Sequence, residues 1–208
     1  MMGERRLWKA GAALLPLLPA VLIPGNGTLL SFILVIVGLI IVRSSRAPVL
    51  AMLDGGWGRT LLLGVGGGIA IALLGLVFET LLDSLLGWAV DLSNFEGVRG
   101  NVRNYLILLA IGILVGGVLE ELTFRGFVVG FGTAVLGERA QVWLVLLSAA
   151  VFGFAHLYQG WAGVLSTGVT GALIGFLYLY ANRKLLVAIL AHATINVIGV
   201  TLIYLGMA

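Results

Sequence analysis

The chain has 208 residues, of which 61% are hydrophobic and only 10% are charged. A soluble domain carries about 25% charged residues, so this composition excludes a soluble globular protein and indicates a protein solvated by lipid. The net charge of +3 does not indicate a nucleic-acid partner, because basic residues in membrane proteins mainly set orientation, and the lack of cysteine excludes disulfides and thiolate chemistry.

Seven apolar runs, separated by charged or turn-forming residues, divide the chain. They cover residues 7–23, 29–42, 60–82, 105–136, 142–156, 162–181 and 185–205. A spanning helix needs about 20 apolar residues, so the pattern predicts an all-α, polytopic membrane bundle of about seven transmembrane helices. We expect residues 1–208 to form a single domain, with the mixed segment 83–103 at the membrane interface.

The first run could be a signal peptide. Arg5, Arg6 and Lys9 lie at the start of its apolar stretch, as basic residues do in a secretory leader. However, no Ala-x-Ala-like cleavage site follows, and a Pro-Gly-Asn-Gly sequence suits a hairpin into the second run. We therefore expect an uncleaved first helix that is bent by Pro16 and Pro19.

Lysine and arginine are distributed unequally between the predicted loops. With the N-terminus inside, the outer side holds only Arg99 and Arg103, whereas the inner side holds nine basic residues. These are Arg5, Arg6, Lys9, Arg43, Arg46, Arg59, Arg139, Arg183 and Lys184. Cytoplasmic loops carry an excess of Lys and Arg, so the distribution predicts a cytoplasmic N-terminus.

Two adjacent carboxylates and an arginine lie within the apolar fourth run. Glu121 and Arg125 are four residues apart, on one helix face and in the favourable order for an ion pair. Glu120 is rotated by about 100° from Glu121 and so faces a different neighbour. Because a charge at bilayer depth costs about 2.5–3.5 kcal/mol on insertion scales, such groups indicate function. We interpret Glu121 and Arg125 as a structural pair, which leaves Glu120 for chemistry.

The hairpin between the fourth and fifth runs relates Glu120 to His156. Its turn is centred near Glu138, which is 18 residues after Glu120 and 18 residues before His156. Antiparallel helices with equal arms place their ends at one depth, so we expect these two side chains to face each other as an acid–base pair. Phe152, one turn before His156, would line the same face.

The seventh run contributes His192 and Asn196, which share one helix face. Two hydrogen-bond donors directed at one point in a dry cavity would form an oxyanion hole. The alternative is helix–helix hydrogen bonding, worth about 0.6–2 kcal/mol per bond. His192 follows Lys184 by only eight residues, so the hairpin at Glu138 must protrude, or the seventh run must start deeper, for the site to close.

These side chains form three motifs in chain order. The motifs are EExxxR from Glu120 to Arg125, FxxxH from Phe152 to His156, and HxxxN from His192 to Asn196. In this order, on successive hydrophobic helices, they resemble the CPBP family of CAAX proteases and bacteriocin-processing enzymes, also called Abi proteins. The resemblance covers about residues 105–200, and the first hundred residues match only as generic membrane helices.

The resemblance implies a multi-pass intramembrane glutamate protease whose pocket opens toward the cytoplasm. By that likeness Glu120 activates the attacking water with His156 as its partner, while His192 and Asn196 stabilise the oxyanion. The implied substrate is a peptide or membrane protein. This compact chain looks like a prokaryotic member located in the cell membrane, for which a prenylated substrate is not implied.

No cofactor is expected, although the family was once thought to be zinc-dependent. Zinc needs at least three ligands, and Glu120, His156 and His192 could supply them. The sequence contains no H-E-x-x-H helix, and we favour the metal-free interpretation.

Two further functions could use the same polar residues. A non-catalytic binding or immunity protein would hold a peptide or partner helix in the pocket. A proton-coupled carrier ranks last, because seven spans do not divide into inverted halves. Glycines spaced four apart, such as Gly112 and Gly116, favour close packing within one bundle over a dimer interface, and the oligomeric state stays open.

Overall fold

The computed structural model describes residues 2–24, 27–53 and 56–207 of the chain. Helix accounts for 86% of the structure, and no strand occurs in these three ranges. The predicted all-α class is confirmed. It follows from the composition, because a lipid-exposed segment must pair its backbone groups internally, as a helix does.

Nine α-helices lie within the described ranges. They are α1 (Met2–Leu14), α2 (Leu17–Leu22), α3 (Gly27–Ile41), α4 (Arg46–Val49), α5 (Trp57–Leu86), α6 (Val102–Leu136), α7 (Gln141–Ala155), α8 (Gly160–Tyr180) and α9 (Leu185–Leu205). Short 3-10 turns connect several of them. These turns are Arg43–Ser45, Ser93–Val98, Glu138–Ala140 and Leu157–Gln159.

Five helices of the described chain, α5 to α9, are long and apolar enough to cross a membrane, when α7 and α8 are each taken with the 3-10 turn that precedes them. The number rises to six if α3 and the segment Arg43–Val49, which meet at 108°, form one broken span. The structure therefore supports several membrane passes, while the predicted count of seven and the cytoplasmic N-terminus are not confirmed.

The first predicted run consists of two short helices. α1 ends at Leu14 and α2 begins at Leu17, with Pro16 between them. Proline has no N–H to donate and its ring clashes with the preceding turn, so the interruption is expected there. Pro19, the other predicted bend, lies inside α2. Neither α1 nor α2 reaches the length of a span.

The helix that carries the Glu-Glu pair is also the longest. Two stretches of α6, Gly112–Glu120 and Leu122–Phe131, have π-helical backbone hydrogen bonding, a form often found at functional sites. Residues 123–133 are all buried, and Phe124, Phe127 and Phe131 are each only 1% exposed. This part of α6 therefore forms the centre of the bundle.

Close glycine contacts fix the relative heights of α6 and α9. A methyl group on Gly126 would lie 3.6 Å from Leu185 Cδ2, and one on Gly117 would lie 3.1 Å from Ala193 Cβ. The first residue of α9 is thus level with Gly126 and not with the turn at Glu138. Of the two arrangements that the sequence left open, the structure has the deeper start of this helix, which brings His192 to the height of the Glu-Glu pair.

The two ends of the bundle differ in charge. At one end, Glu138 and Arg183 pair at 2.6 Å between the α6–α7 and α8–α9 turns, and Arg6 donates to two carbonyls at the end of α6. At the other end, the Asp91 N–H donates to the carbonyl of Gln159 at 3.0 Å.

We call the first of these the basic end and the second the acidic end. The basic end carries Arg6, Arg43, Arg46, Arg59, Arg139, Arg183 and Lys184, and the acidic end carries Asp83, Asp91, Glu96, Arg99 and Arg103. The charge asymmetry found in the sequence is therefore an asymmetry of the fold.

Candidate active site

Three ionisable side chains of α6 lie inside the bundle. Glu121 and Arg125 are fully buried, and Glu120 is 9% exposed. Isolated charges in such surroundings are costly, so each needs a partner. Their partners come from α6 itself and from α9.

The Glu121 carboxylate connects two of the sequence motifs. Its Oε1 accepts from Arg125 Nη1 at 2.8 Å, which is the predicted ion pair, and is also 2.7 Å from His192 Nδ1. The second contact was not predicted, because it depends on the packing of α9 against α6. An ionised Glu121 accepts a hydrogen bond from Nδ1–H, which fixes the ring orientation and directs His192 Nε2 away from it.

The Arg125 guanidinium is held on two further sides. Its Nη2 donates to the Gly171 carbonyl of α8 at 2.7 Å, and its Cζ lies 5.2 Å from the ring centre of Phe152. A methyl group on Gly171 would lie 3.0 Å from Phe152 Cδ1, so glycine permits this approach. Arg125 therefore joins α6 to α7 and α8.

The second nitrogen of His192 faces the other carboxylate. Nε2 lies 3.9 Å from Glu120 Oε2, longer than a hydrogen bond but within range of a charge interaction. A methyl group on Gly116 would lie 3.5 Å from this nitrogen. The glycine thus leaves room beside Glu120 and His192.

Asn196 lies one turn further along α9. Its Nδ2 donates to the Gly112 carbonyl at 2.7 Å. An amide NH₂ has two hydrogens, so this bond orients the side chain and leaves the second N–H for another acceptor. The Gly116 backbone is next to both Asn196 and His192, so both predicted donors border one small volume.

His156 directly follows the last residue of α7 and is half-buried. Its Nδ1 is 2.8 Å from the Phe152 carbonyl, which can only accept, so Nδ1 carries the proton and Nε2 is the free nitrogen of the neutral ring. Within the described residues no hydrogen bond or ion pair joins His156 to Glu120. The imidazole with a measured approach to Glu120 is instead that of His192.

Phe152 is the aromatic centre of the site. Its ring centre lies 4.7 Å from that of His156, 5.7 Å from that of His192 and 5.2 Å from that of Phe124. Because it is 2% exposed and touches both histidines, it forms the apolar wall expected from its place in the FxxxH motif.

The part of the chain that carries the three motifs is similar to a known protein family. Residues 102–198 match the family model described as type II CAAX prenyl endopeptidase Rce1-like. The matched region contains all three motifs, from Glu120 to Asn196. The resemblance to CAAX proteases is confirmed, and the match to a protease family supports an enzyme in a multi-pass membrane protein. No curated protein and no solved structure matches the chain.

A zinc ion would require at least three ligands from the acidic and histidine side chains of this region. Glu120, His156 and His192 would be the zinc ligands. Across residues 2–24, 27–53 and 56–207, no three His, Cys, Asp or Glu side chains are grouped closely enough to bind one ion. His192 Nδ1 is directed to Glu121 and His156 Nδ1 to a backbone carbonyl, which leaves each Nε2 free, as in histidines that bind a metal. The distances between the three side chains, and not the orientation of the rings, therefore do not fit one zinc ion in this arrangement.

Chelation tests the metal-free interpretation. We expect peptide cleavage by the purified protein to be unchanged after incubation with 1,10-phenanthroline and dialysis, because in the metal-free interpretation Glu120 itself activates the water. Loss of activity that is restored by added zinc would contradict this expectation. A zinc protease treated in parallel controls for effective chelation.

One partly buried interaction between membrane helices was not predicted from the sequence. Glu79 of α5 accepts a short hydrogen bond from Ser166 Oγ of α8. A carboxylate in the 60–82 run was the signal, since charges in spans are rare. None of the measured contacts of Glu79 is with a motif residue, so it offers a comparison carboxylate in the same membrane helices.

Proposed function

We propose that the protein is an intramembrane endopeptidase that hydrolyses a peptide bond near the membrane surface. Glu120 is the general base for water, His156 is its partner, and His192 with Asn196 forms the oxyanion hole. Glu121, Arg125 and Phe152 position these groups. The substrate is a peptide or a segment of a membrane protein.

In the first step Glu120 removes a proton from water as the water oxygen bonds to the carbonyl carbon. The carbonyl π electrons move onto oxygen and give a tetrahedral oxyanion. The proton then passes to the amide nitrogen, directly or through His156 Nε2, as the C–N bond breaks. The products are a carboxylic acid and an amine, and no co-reactant besides water is consumed.

The oxyanion is stabilised by donors on α9. The free N–H of Asn196 is one. His192 Nε2 is the other and donates only when the ring carries both protons, because its Nδ1 is bonded to Glu121. Glu121 at 2.7 Å balances the imidazolium charge throughout, and Glu120 at 3.9 Å contributes until it takes up the proton from water.

One observation carries the proposal. The Glu121–His192 hydrogen bond brings the EExxxR and HxxxN motifs into contact and places the second His192 nitrogen beside the Glu120 carboxylate. A purely structural ion pair would need only Glu121 and Arg125. The additional carboxylate has low exposure and, among the described residues, no hydrogen bond to a cation, which supports a catalytic base.

Substitution Glu120→Gln tests the proposal. We expect turnover of a cleavable peptide to fall by about 10²–10⁴-fold, the usual contribution of a general base, with little change in thermal stability. The matched control is Glu79→Gln, which alters another carboxylate within a membrane helix. It should retain activity, and equal losses in both variants would count against a specific role for Glu120.

The substrate panel should contain prenylated CAAX peptides and unmodified hydrophobic peptides, because the family description names a prenyl endopeptidase. Cleavage of either supports proteolysis and defines the substrate. If Glu120→Gln retains full biological function and no peptide is cut, the protein is a binding or immunity protein and the proposed catalysis is wrong.

A further inference from the structure

A shallow cleft lies between α5 and α9 at the basic end of the bundle. Its walls come from the start of α5, the turn after α8 and the start of α9, and they consist of Arg59, Thr60, Leu63, Ala181, Lys184 and Val187. Beyond the cleft the two helices are in tight contact, because a methyl group on Gly64 would lie only 2.6 Å from Leu190 Cβ. The cleft encloses no room for a water molecule, so a ligand must lie across its mouth.

Two basic side chains line this cleft, and no described residue pairs with either. Arg59 is exposed and Lys184 is half-buried, and among the residues that the structure describes neither side chain forms an ion pair or a hydrogen bond. Other cations of the basic end are occupied, since Arg46 donates to two carbonyls of α3 and Arg183 pairs with Glu138. A cleft lined by charges of one sign concentrates their field, so this one attracts an anion.

The turn between α8 and α9 gives its two basic side chains different roles. Asn182 and Arg183 have φ angles of 54° and 59°, a left-handed backbone that reverses the chain within a few residues. Arg183 is paired with the acidic side chain of the α6–α7 turn, while the next residue, Lys184, lines the cleft. The first two backbone N–H groups of α9 donate to the carbonyls of Ala51 and Met52, at 2.8 and 3.3 Å. The donors left for an anion are therefore the two side chains.

The cleft lies at the height expected for lipid headgroups. Trp57, two residues before Arg59, is 63% exposed, and tryptophan is enriched where a membrane meets water. The next turn of α5 exposes Leu61 and Leu62, as a surface in contact with acyl chains does. A headgroup phosphate beside Arg59 would thus have its acyl chains along the apolar part of α5.

We propose that this cleft binds the phosphate of an anionic phospholipid between the Arg59 guanidinium and the Lys184 ammonium. Basic pockets between membrane helices bind such headgroups in other membrane proteins. Phosphatidylglycerol, with its net negative charge, matches the two cations, whereas phosphatidylcholine would bring a third cation to the cleft. Lys184 directly precedes α9, so the bound lipid fastens the start of the helix that carries His192 to α5.

Lipid titrations of the purified full chain in detergent, followed by native mass spectrometry, test the proposal. We expect phosphatidylglycerol to bind at least tenfold more tightly than phosphatidylcholine of the same chain length. The variant Arg59→Gln/Lys184→Gln should lose about 25-fold in affinity for phosphatidylglycerol, since each basic side chain near a membrane surface contributes about fivefold. Each single variant should lose about fivefold, so the test does not depend on the double variant alone. Equal affinity of the natural protein for both lipids overturns the proposal.

The matched control is Arg43→Gln/Arg139→Gln, which removes two exposed arginines of the basic end that do not line the cleft. Its net charge equals that of the Arg59→Gln/Lys184→Gln variant, so a general attraction between the protein and anionic lipid would weaken equally in both. We expect the control to lose less than twofold in affinity for phosphatidylglycerol. Equal losses in the two double variants would overturn a specific site.

A soluble phosphate compound is the other source of the same chemistry, and competition distinguishes it from lipid. We expect neither inorganic phosphate nor glycerol 3-phosphate to displace phosphatidylglycerol at millimolar concentration, because both lack the acyl chains that lie along α5. Displacement by either compound at a concentration equal to that of the lipid would overturn the lipid as the ligand. None of these measurements involves peptide cleavage, so the lipid site and the proposed function fail separately.

Discussion

Substitution Arg125→Leu is expected to lower the free energy of unfolding by about 3–5 kcal/mol, the usual result of removing one partner of a buried ion pair. The fully buried Glu121 would lose its cation, and the Gly171 carbonyl would lose its donor. Thermal unfolding in detergent, followed by circular dichroism, would show a lower Tm.

The matched control is Arg183→Leu, which breaks the exposed pair with Glu138. Although that pair is also short, at 2.6 Å, solvent-exposed pairs contribute about 0–1 kcal/mol, so its Tm should change little. If Arg125→Leu is as stable as Arg183→Leu, the buried cluster does not hold α6, α7 and α8 together.

Substitution Asn196→Ala is expected to lower kcat by about 10²–10³-fold with little change in KM, as for loss of one oxyanion donor. Asn196 is fixed by its bond to the Gly112 carbonyl and borders the same space as His192. Steady-state kinetics on the peptide used for Glu120→Gln would give both constants.

A purely structural role for Asn196 gives a different result. Helix–helix hydrogen bonds in membranes contribute about 0.6–2 kcal/mol, so Tm would fall while kcat at low temperature stayed normal. Thr201→Ala is the matched control, because Thr201 contacts Tyr105 across the same two helices at 3.2 Å. A kcat loss shared equally by both variants would contradict the oxyanion role.

Contacts within one helix could be predicted from the sequence, and contacts between helices only in part. The Glu121–Arg125 pair needs nothing beyond helical spacing, and the structure contains it. The Glu121–His192 bond depends on the height of α9 against α6, which small residues such as Gly117 allow. Spacing identified the problem of unequal depth but could not choose its solution.

The number of membrane passes could also be predicted only in part from the sequence. Apolar runs gave the helical class, but the split at Pro16 and the 108° bend after α3 reduce the spans expected from length alone. Hydropathy measures how apolar a run is, and it does not report whether backbone hydrogen bonding continues through a proline or a turn.

A double-mutant cycle on Glu120 and His156 most directly tests whether the motifs form one hydrolytic centre. The values of kcat/KM are measured for the natural protein, Glu120→Gln, His156→Ala and the double variant. Residues that act as a unit are strongly non-additive, so the double variant should be about as slow as the slower single variant. Fully additive losses would show that the two side chains act independently and would contradict a shared catalytic centre.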